Sequence, residues 1–142
     1  MYLSPIIDLA NKEIISYQLS RRPDFKQVTD MLDKAFKKLT VKGDLILHSD
    51  QGWQYQMKQY RSMLKQKKII QSMSRKGNCL DNAIIENFFG ILKSELYYLK
   101  KYNSIEELEK DIKNYISYYN NERISQALNG MSPIKYRAHC IN

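Results

Sequence analysis

The chain has 142 residues, 43% of them hydrophobic and 27% charged, with 23 basic against 15 acidic side chains and a net charge of +8. That is one domain's worth of globular composition. It excludes wholesale disorder and low-complexity repeats, and no apolar run approaches the ~20 residues that cross a bilayer. A pI near 9.4, with basic residues spread along the chain, favours a polyanionic partner, nucleic acid ahead of an anionic membrane.

Residues 2–9 and 13–19 read as two strands, joined by Ala10-Asn11-Lys12 as a tight turn. Pro5 lacks an amide donor and marks its strand as an edge or a strand start. From Pro23 a helix is predicted, with Phe25, Val28, Met31, Leu32, Ala35, Phe36 and Leu39 at helical spacing and Gly43 ending the segment. Residues 44–49 are short, apolar and bounded by Gly43 and Gly52, the pattern of a buried strand in a parallel sheet, with Asp50 at its C-terminal end. A helix over 55–66 and a short strand over 68–72 follow. The segment from Ser74 to Asp81 has no periodicity and reads as a loop.

Asp81 or Asn82 can cap the next helix, whose buried stripe is predicted as Ile84, Ile85, Phe88, Phe89, Leu92, Leu96 and Leu99. Ser104 and Glu107 form a capping box that opens a helix through Ile105, Leu108, Ile112, Tyr115, Ile116 and Tyr119. After Asn120 the tail is irregular, with Ser132-Pro133 opening one last turn. The predicted order is β-β-α-β-α-β-α-α, a mixed α/β sheet with helices packed on it. Cys79 and Cys140 lie far apart without CxxC spacing, so both are expected as free thiols. The N-terminus lacks the basic-then-apolar pattern of a secretory leader, and a cytosolic protein is expected.

Asp50 follows a predicted strand and Glu86 lies in the first turns of an amphipathic helix, with 35 residues between them. Each has an ordinary explanation: Asp50 starts an Asp-Gln-Gly turn, and Glu86 complements a helix N-terminus. Against this, Glu86 sits at the border of the apolar stripe and Lys93 lies two turns further along its face, a geometry suited to a carboxylate at metal and a lysine at phosphate.

The stretches His48-Ser49-Asp50-Gln51-Gly52-Trp53-Gln54-Tyr55 and residues 72–95, from Ser72 through Arg75-Lys76-Gly77-Asn78 and Asp81-Asn82 to Glu86 and Lys93, resemble the integrase core of bacterial insertion-sequence transposases. Within that group, related to retroviral integrases, they resemble the insertion sequence three family. The tail from Tyr118-Tyr119-Asn120-Asn121-Glu122-Arg123 through Leu128-Asn129-Gly130-Met131-Ser132-Pro133 is similar to the end of the same family. The resemblance runs over residues 1–137 as one catalytic core, leaving 138–142 as a tail. It implies a ribonuclease H-like fold and a DD(35)E triad, with Asp50 as the second aspartate and Glu86 as the glutamate. It also implies two Mg²⁺ or Mn²⁺ ions held by carboxylates, and metal-dependent cleavage and strand transfer of DNA. DNA at transposon ends and target is the implied partner, with a homo-oligomer in the full-length family, no membrane, and a bacterial, nucleoid-associated cytoplasmic location. Lys93 corresponds to a DNA-facing lysine, and Arg75, Lys76 and Gly77 to an active-site loop. His48 is expected to pack and hydrogen-bond rather than ligate, and Asn82 to cap a helix. Tyr115, Tyr118 and Tyr119 are expected in core and interface.

The family's first aspartate lies on a central strand upstream of the hairpin that opens this chain, so the first strand is missing from the expected sheet. Asp8 falls on the stretch similar to the end of the family's second strand, where an aspartate is not catalytic, and it is set aside. The expectation is therefore a C-terminal fragment of a catalytic core, inactive alone and poorly stable. The alternatives are a non-catalytic DNA-binding or regulatory remnant, and a decayed product with no activity.

Overall fold

The computed structural model describes residues 1–38, 45–74 and 83–141. Strands β1 (Tyr2–Ile7) and β2 (Ile14–Ser20) form an antiparallel hairpin with a register shift at Ile6/Ile7. Lys12 takes a positive φ in its turn, and Asp8 closes it by accepting from the Ala10 amide at 2.8 Å. Helix α1 (Phe25–Lys38) follows, its start capped by Asp24, whose carboxylate accepts from the Gln27 amide at 3.0 Å. Strand β3 (Leu45–Ser49), a short 3₁₀ turn (Trp53–Gln56), helix α2 (Lys58–Gln66) and strand β4 (Ile69–Met73) form the next unit, in which β4 lies parallel to β3. Helices α3 (Ala83–Glu95), α4 (Ile105–Asn121) and α5 (Pro133–Tyr136) complete the chain, and α5 runs into a π-type turn (Arg137–Ile141).

The described strands make two two-stranded sheets, β1-β2 and β3-β4, rather than one. Helix α1 joins them from one side. Val28, Met31 and Leu32 at helical spacing pack with Tyr60 and Leu64 of α2 and Ile69 of β4, and Ile6, Leu45 and Leu47 close on this cluster from the two sheets. The buried Gln27 amide donates to the Tyr2 carbonyl at 3.0 Å and the Gln18 carbonyl at 3.3 Å, tying the start of α1 to both strands of the hairpin. The opposite face of β1-β2 packs on a second cluster, Ile14 with Phe88 and Leu92 of α3 and Ile112, Tyr115, Ile116 and Tyr119 of α4. Each such side chain contributes about 1.5–3 kcal/mol through burial, so α3 and α4 are fixed by their apolar stripes.

Three expectations are corrected. Strand β3 is not buried on both faces: Ile46 is 61% exposed, and its cross-strand partner Ile70 is 50% exposed. A parallel strand is buried only where helices cover both its faces, and here α1 and α2 cover one. The helix expected to carry Leu96 and Leu99 in its stripe ends at Glu95. Leu96 leaves helical backbone at φ −129° and ψ −64°, and Tyr97, Tyr98 and Leu99 form an exposed 3₁₀ turn. The segment expected as one helix over 55–66 is instead the 3₁₀ turn and α2, separated at Met57 by extended backbone. Residues 75–81 of the predicted loop from Ser74 to Asp81, the cap at Asp81 or Asn82, Gly43 and Cys79 lie outside the described residues. Cys140 is a free, exposed thiol.

Candidate active site and its supports

Asp50 stands immediately beyond β3 and is exposed. Its carboxylate accepts from the Gly52 amide at 2.7 Å, an Asx turn that aims the chain into the 3₁₀ turn. Gly52 has an ordinary backbone here. Its requirement is close approach, because a Cβ on it would sit 3.0 Å from both the Asp50 carboxylate and the Gln54 side-chain oxygen. The turn is braced by Gln51 donating to the Ser74 carbonyl and by Gln71 donating to the Tyr55 carbonyl. Tyr55 has its hydroxyl pKa raised, first by burial and then by the nearby Asp50 charge. His48, one strand step earlier, pairs through Nδ1 with the Ser72 hydroxyl at 2.9 Å across the ladder, while its buried Nε2 has no hydrogen-bond partner among the described residues.

Glu86 lies in the first turn of α3 and is exposed, and its carboxylate makes no hydrogen bond or ion pair to a described residue. Lys93 is exposed in the last turn of the same helix. Phe88 and Leu92 are the buried face of α3, so their packing sets the rotation of the helix and holds Glu86 and Lys93 in solvent. Asp50 and Glu86 share no partner. Among the described residues no group of three or more His, Cys, Asp or Glu stands close enough to hold a metal ion. Arg75, Lys76, Gly77 and Asn82 lie outside the described residues.

Asp8 is committed elsewhere. With Glu13 and Asn11 it receives the Arg137 guanidinium. Asn11, fully buried, also donates to the Pro133 carbonyl at 3.0 Å. This contact belongs to a set of long-range bonds that sequence reasoning missed. Asn120 both donates to the Ile14 carbonyl (3.0 Å) and accepts from the Ile14 amide (2.8 Å), and the Tyr119 hydroxyl donates to the Lys12 carbonyl. Arg123 grips Glu95 through two nitrogens, and Tyr115 donates to the same carboxylate. Arg123 above all, and then Tyr115, hold the Glu95 carboxyl below its usual range against the opposing effect of burial. The tail motif is thus a clasp that closes on the hairpin turn and on the end of α3. The tyrosine expectation divides: Tyr115 and Tyr119 are buried, and Tyr118 is 43% exposed.

Positive charge is less evenly spread than the sequence reading held. Residues 51–80 contain seven basic side chains and no acidic one. Elsewhere many cations are neutralised by pairing, as with Arg21 to Glu106 and Glu109, and Lys100 to Glu107 and Asp111.

Comparison with known proteins places this arrangement. Integrase core domain models match residues 1–79 and 86–141. The chain is 58% identical over 137 residues to the transposase InsK of insertion sequence element IS150 from Escherichia coli (strain K12), covering 96% of this chain and 48% of that protein. It is 54% identical over 142 residues to an uncharacterized transposase-like protein of Haemophilus influenzae, covering 100% and 65%. The chain therefore spans about half to two thirds of the length of these relatives. Among solved structures, the HTLV-2 integrase catalytic core domain in complex with magnesium superimposes with a TM-score of 0.70 at 15% identity, over 92% of this chain and 80% of that one. At that identity the likeness speaks for the fold, a ribonuclease H-like core.

Proposed function

The chain belongs to the integrase core domain family, with insertion-sequence transposases as its relatives, and on that premise we propose that it carries part of the catalytic core of a metal-dependent DNA transposase. In this reading Asp50 and Glu86 are two of three carboxylates that bind divalent metal for cleavage at the element's ends and strand transfer into target DNA. The observation that carries it is a pair of exposed carboxylates, at the end of a strand and in the first turn of a helix, that no described cation neutralises. Hard oxygen donors of this kind suit Mg²⁺ or Mn²⁺, so the residues fit the ion in kind. When bound, such ions polarise a phosphate and lower the pKa of an attacking water. Lys93, and with it Arg75 and Lys76, is the proposed phosphate contact, and His48, Gly52, Gly77 and Asn82 shape the site.

The number of ligands supports a further part of the reading, that these 142 residues alone are inactive for want of the first catalytic aspartate. The Ser49 carbonyl accepts from the Ser74 amide at 2.8 Å, so alternation along a parallel strand turns the main-chain groups of Ile46 and His48 to the other edge of β3. No described strand pairs with that edge, nor with the edge of β1 away from β2. A strand between them would complete one mixed sheet and bring a third carboxylate toward Asp50. By contrast, the outer edge of β2 is guarded: Lys34 and Lys38 donate to the Tyr17 and Ile15 carbonyls, a usual protection of a free edge.

The deciding experiment is a cleavage and strand-transfer assay on terminal-repeat duplex with Mg²⁺ or Mn²⁺. The 142-residue chain is expected to be silent, and a longer protein that adds an aspartate-bearing strand is expected to cut, losing activity with Glu86→Gln or Asp50→Asn. Robust activity of the 142 residues, abolished by Glu86→Gln, would overturn the incompleteness. That no three-ligand cluster stands among the described residues favours one second reading, a non-catalytic DNA-binding remnant, for which even the longer protein would bind DNA and never cut it.

A further inference from the structure

The acid-free stretch from Gln51 to Leu80 contains α2, and its charges there are ordered rather than scattered. Lys58, Arg61, Lys65 and Lys68 follow one another at spacings of three, four and three residues, which places the first three on one helical stripe and the fourth in the turn that ends it. All four are exposed. The opposite stripe, Tyr60 and Leu64, is buried against α1 and β4, so the basic stripe is held outward by the packing of the other face. None of the four is ion-paired to a described residue. Lys67, off the stripe, leans instead over the Phe36 ring at 5.8 Å.

Folding alone disfavours this arrangement. Like charges three and four residues apart on a helix repel, and Lys58 sits at the positive end of the helix dipole, in a first turn with no acidic residue. A solvated helix face ordinarily mixes signs, as α4 does with Glu106, Glu107, Lys110, Asp111 and Lys113. The other exposed residues of α2 are Gln59, Ser62 and Gln66, short polar donors of the kind that contact phosphate oxygens. The stripe offers no apolar side chain for insertion into lipid. From Lys58 to Lys65 it runs about 10 Å at 1.5 Å per residue, against a duplex that carries one negative charge per about 1.7 Å of its axis.

We propose that this stripe on α2 is a grip for the sugar-phosphate backbone of duplex DNA, independent of base sequence and of metal. Residues 51–57, fixed by the turn at Gly52 and by Gln71 donating to the Tyr55 carbonyl, join α2 to Asp50. The inference rests on the membership of a DNA-handling family argued above, yet it is read without catalysis.

The test is fluorescence anisotropy of a labelled duplex of arbitrary sequence titrated with the 142-residue chain in EDTA, across NaCl concentrations. Replacing Lys58, Arg61 and Lys65 together by Gln is expected to flatten the slope of log K against log salt by about 2.7, three contacts at about 0.9 each. Replacing Lys101, Lys110 and Lys113 by Gln removes the same net charge from elsewhere and is expected to change the slope by less than half as much. Far-ultraviolet circular dichroism verifies that both triple variants fold. Equal effects of the two triples would reduce the proposal to bulk charge and overturn it, as would an unchanged slope in the α2 triple. Binding of that stripe to phosphatidylserine vesicles without an effect on DNA would assign it to a membrane and refute it equally. Failure of cleavage by any longer protein leaves these measurements untouched, so the two readings fall separately.

Discussion

Substituting Asn120 by alanine tests whether the tail clasp is structural glue or decoration. The Asn120 amide satisfies both main-chain groups of Ile14, accepting from its N–H at 2.8 Å and donating to its carbonyl at 3.0 Å. Ile14 is 2% exposed and sits where the register of β1 against β2 shifts, so the hairpin supplies no substitute. A buried main-chain group left without a partner costs about 1–3 kcal/mol. With two such groups at a half-buried side chain, where water relieves part of the penalty, the expected loss is about 2–4 kcal/mol. For a chain of this size that lowers the melting temperature by roughly 10 °C. Asn120→Asp keeps the acceptor for the Ile14 amide but turns a carboxylate on the Ile14 carbonyl. It is expected to be at least as destabilising at neutral pH, and to recover in acid as the protonated carboxyl regains a donor. Urea unfolding of both variants supplies the free energies, and amide exchange at Ile14 localises them. A loss below about 0.5 kcal/mol for Asn120→Ala, or unchanged protection at Ile14, would show that the clasp does not hold the hairpin.

Three further outcomes follow from the same structure. Glu95→Gln is expected to lower stability at neutral pH by about 1 kcal/mol, the scale of a partly exposed bidentate pair. Because Arg123 depresses the folded-state pKa of Glu95, the native advantage holds above the unfolded pKa and is lost as pH falls through the folded one, so denaturation curves of variant and parent are expected to converge in acid. Asp50→Asn and Glu86→Gln, at exposed carboxylates without an ion-pair partner, are expected to shift stability by no more than about 0.5 kcal/mol, so calorimetry separates a loss of the proposed metal-dependent activity in the longer protein from any effect on folding. Removing the edge guards with Lys34→Ala and Lys38→Ala frees the Tyr17 and Ile15 carbonyls. Concentration-dependent association through β2 is then expected in analytical ultracentrifugation, and a pair of substitutions that stays monomeric would deny the lysines that role.

What could be read from the sequence was whatever is written locally. The stripes of α1 and α4 repeat at helical spacing. The capping box at Ser104 is present, with its hydroxyl accepting from the Glu107 amide at 3.1 Å, although the Glu107 carboxylate accepts in return from the Asn103 amide, one residue before Ser104. The end of α3 departs from its sequence pattern because Leu96 and Leu99 keep the apolar spacing while the backbone leaves the helix; periodicity reports side-chain type and is silent about φ and ψ. The clasp was illegible for a different reason. Its bonds to the hairpin span more than 100 residues, as from Asn11 to Pro133 or Asn120 to Ile14, and an asparagine that will pair with a distant main chain is spelled like any other.

The candidate site shows why a local reading and a functional one need not compete. Asp50 does what an aspartate before Gln-Gly ordinarily does, closing a turn with its carboxylate on the Gly52 amide. That bond engages one oxygen, fixes the direction of the carboxyl, and leaves it exposed at the strand's end without a cation. A metal-binding carboxylate needs that same orientation and exposure, so the turn is the means by which the proposed ligand is held. The charge on α2 carries the same lesson. Summed over the chain, +8 says only that polyanions are welcome, whereas the absence of any acid from Gln51 to Leu80, joined to a helix whose other face is buried, turns a net charge into a surface with a direction and a length. Composition averages away such segregation, and it is recovered only when the fold states which residues share a face.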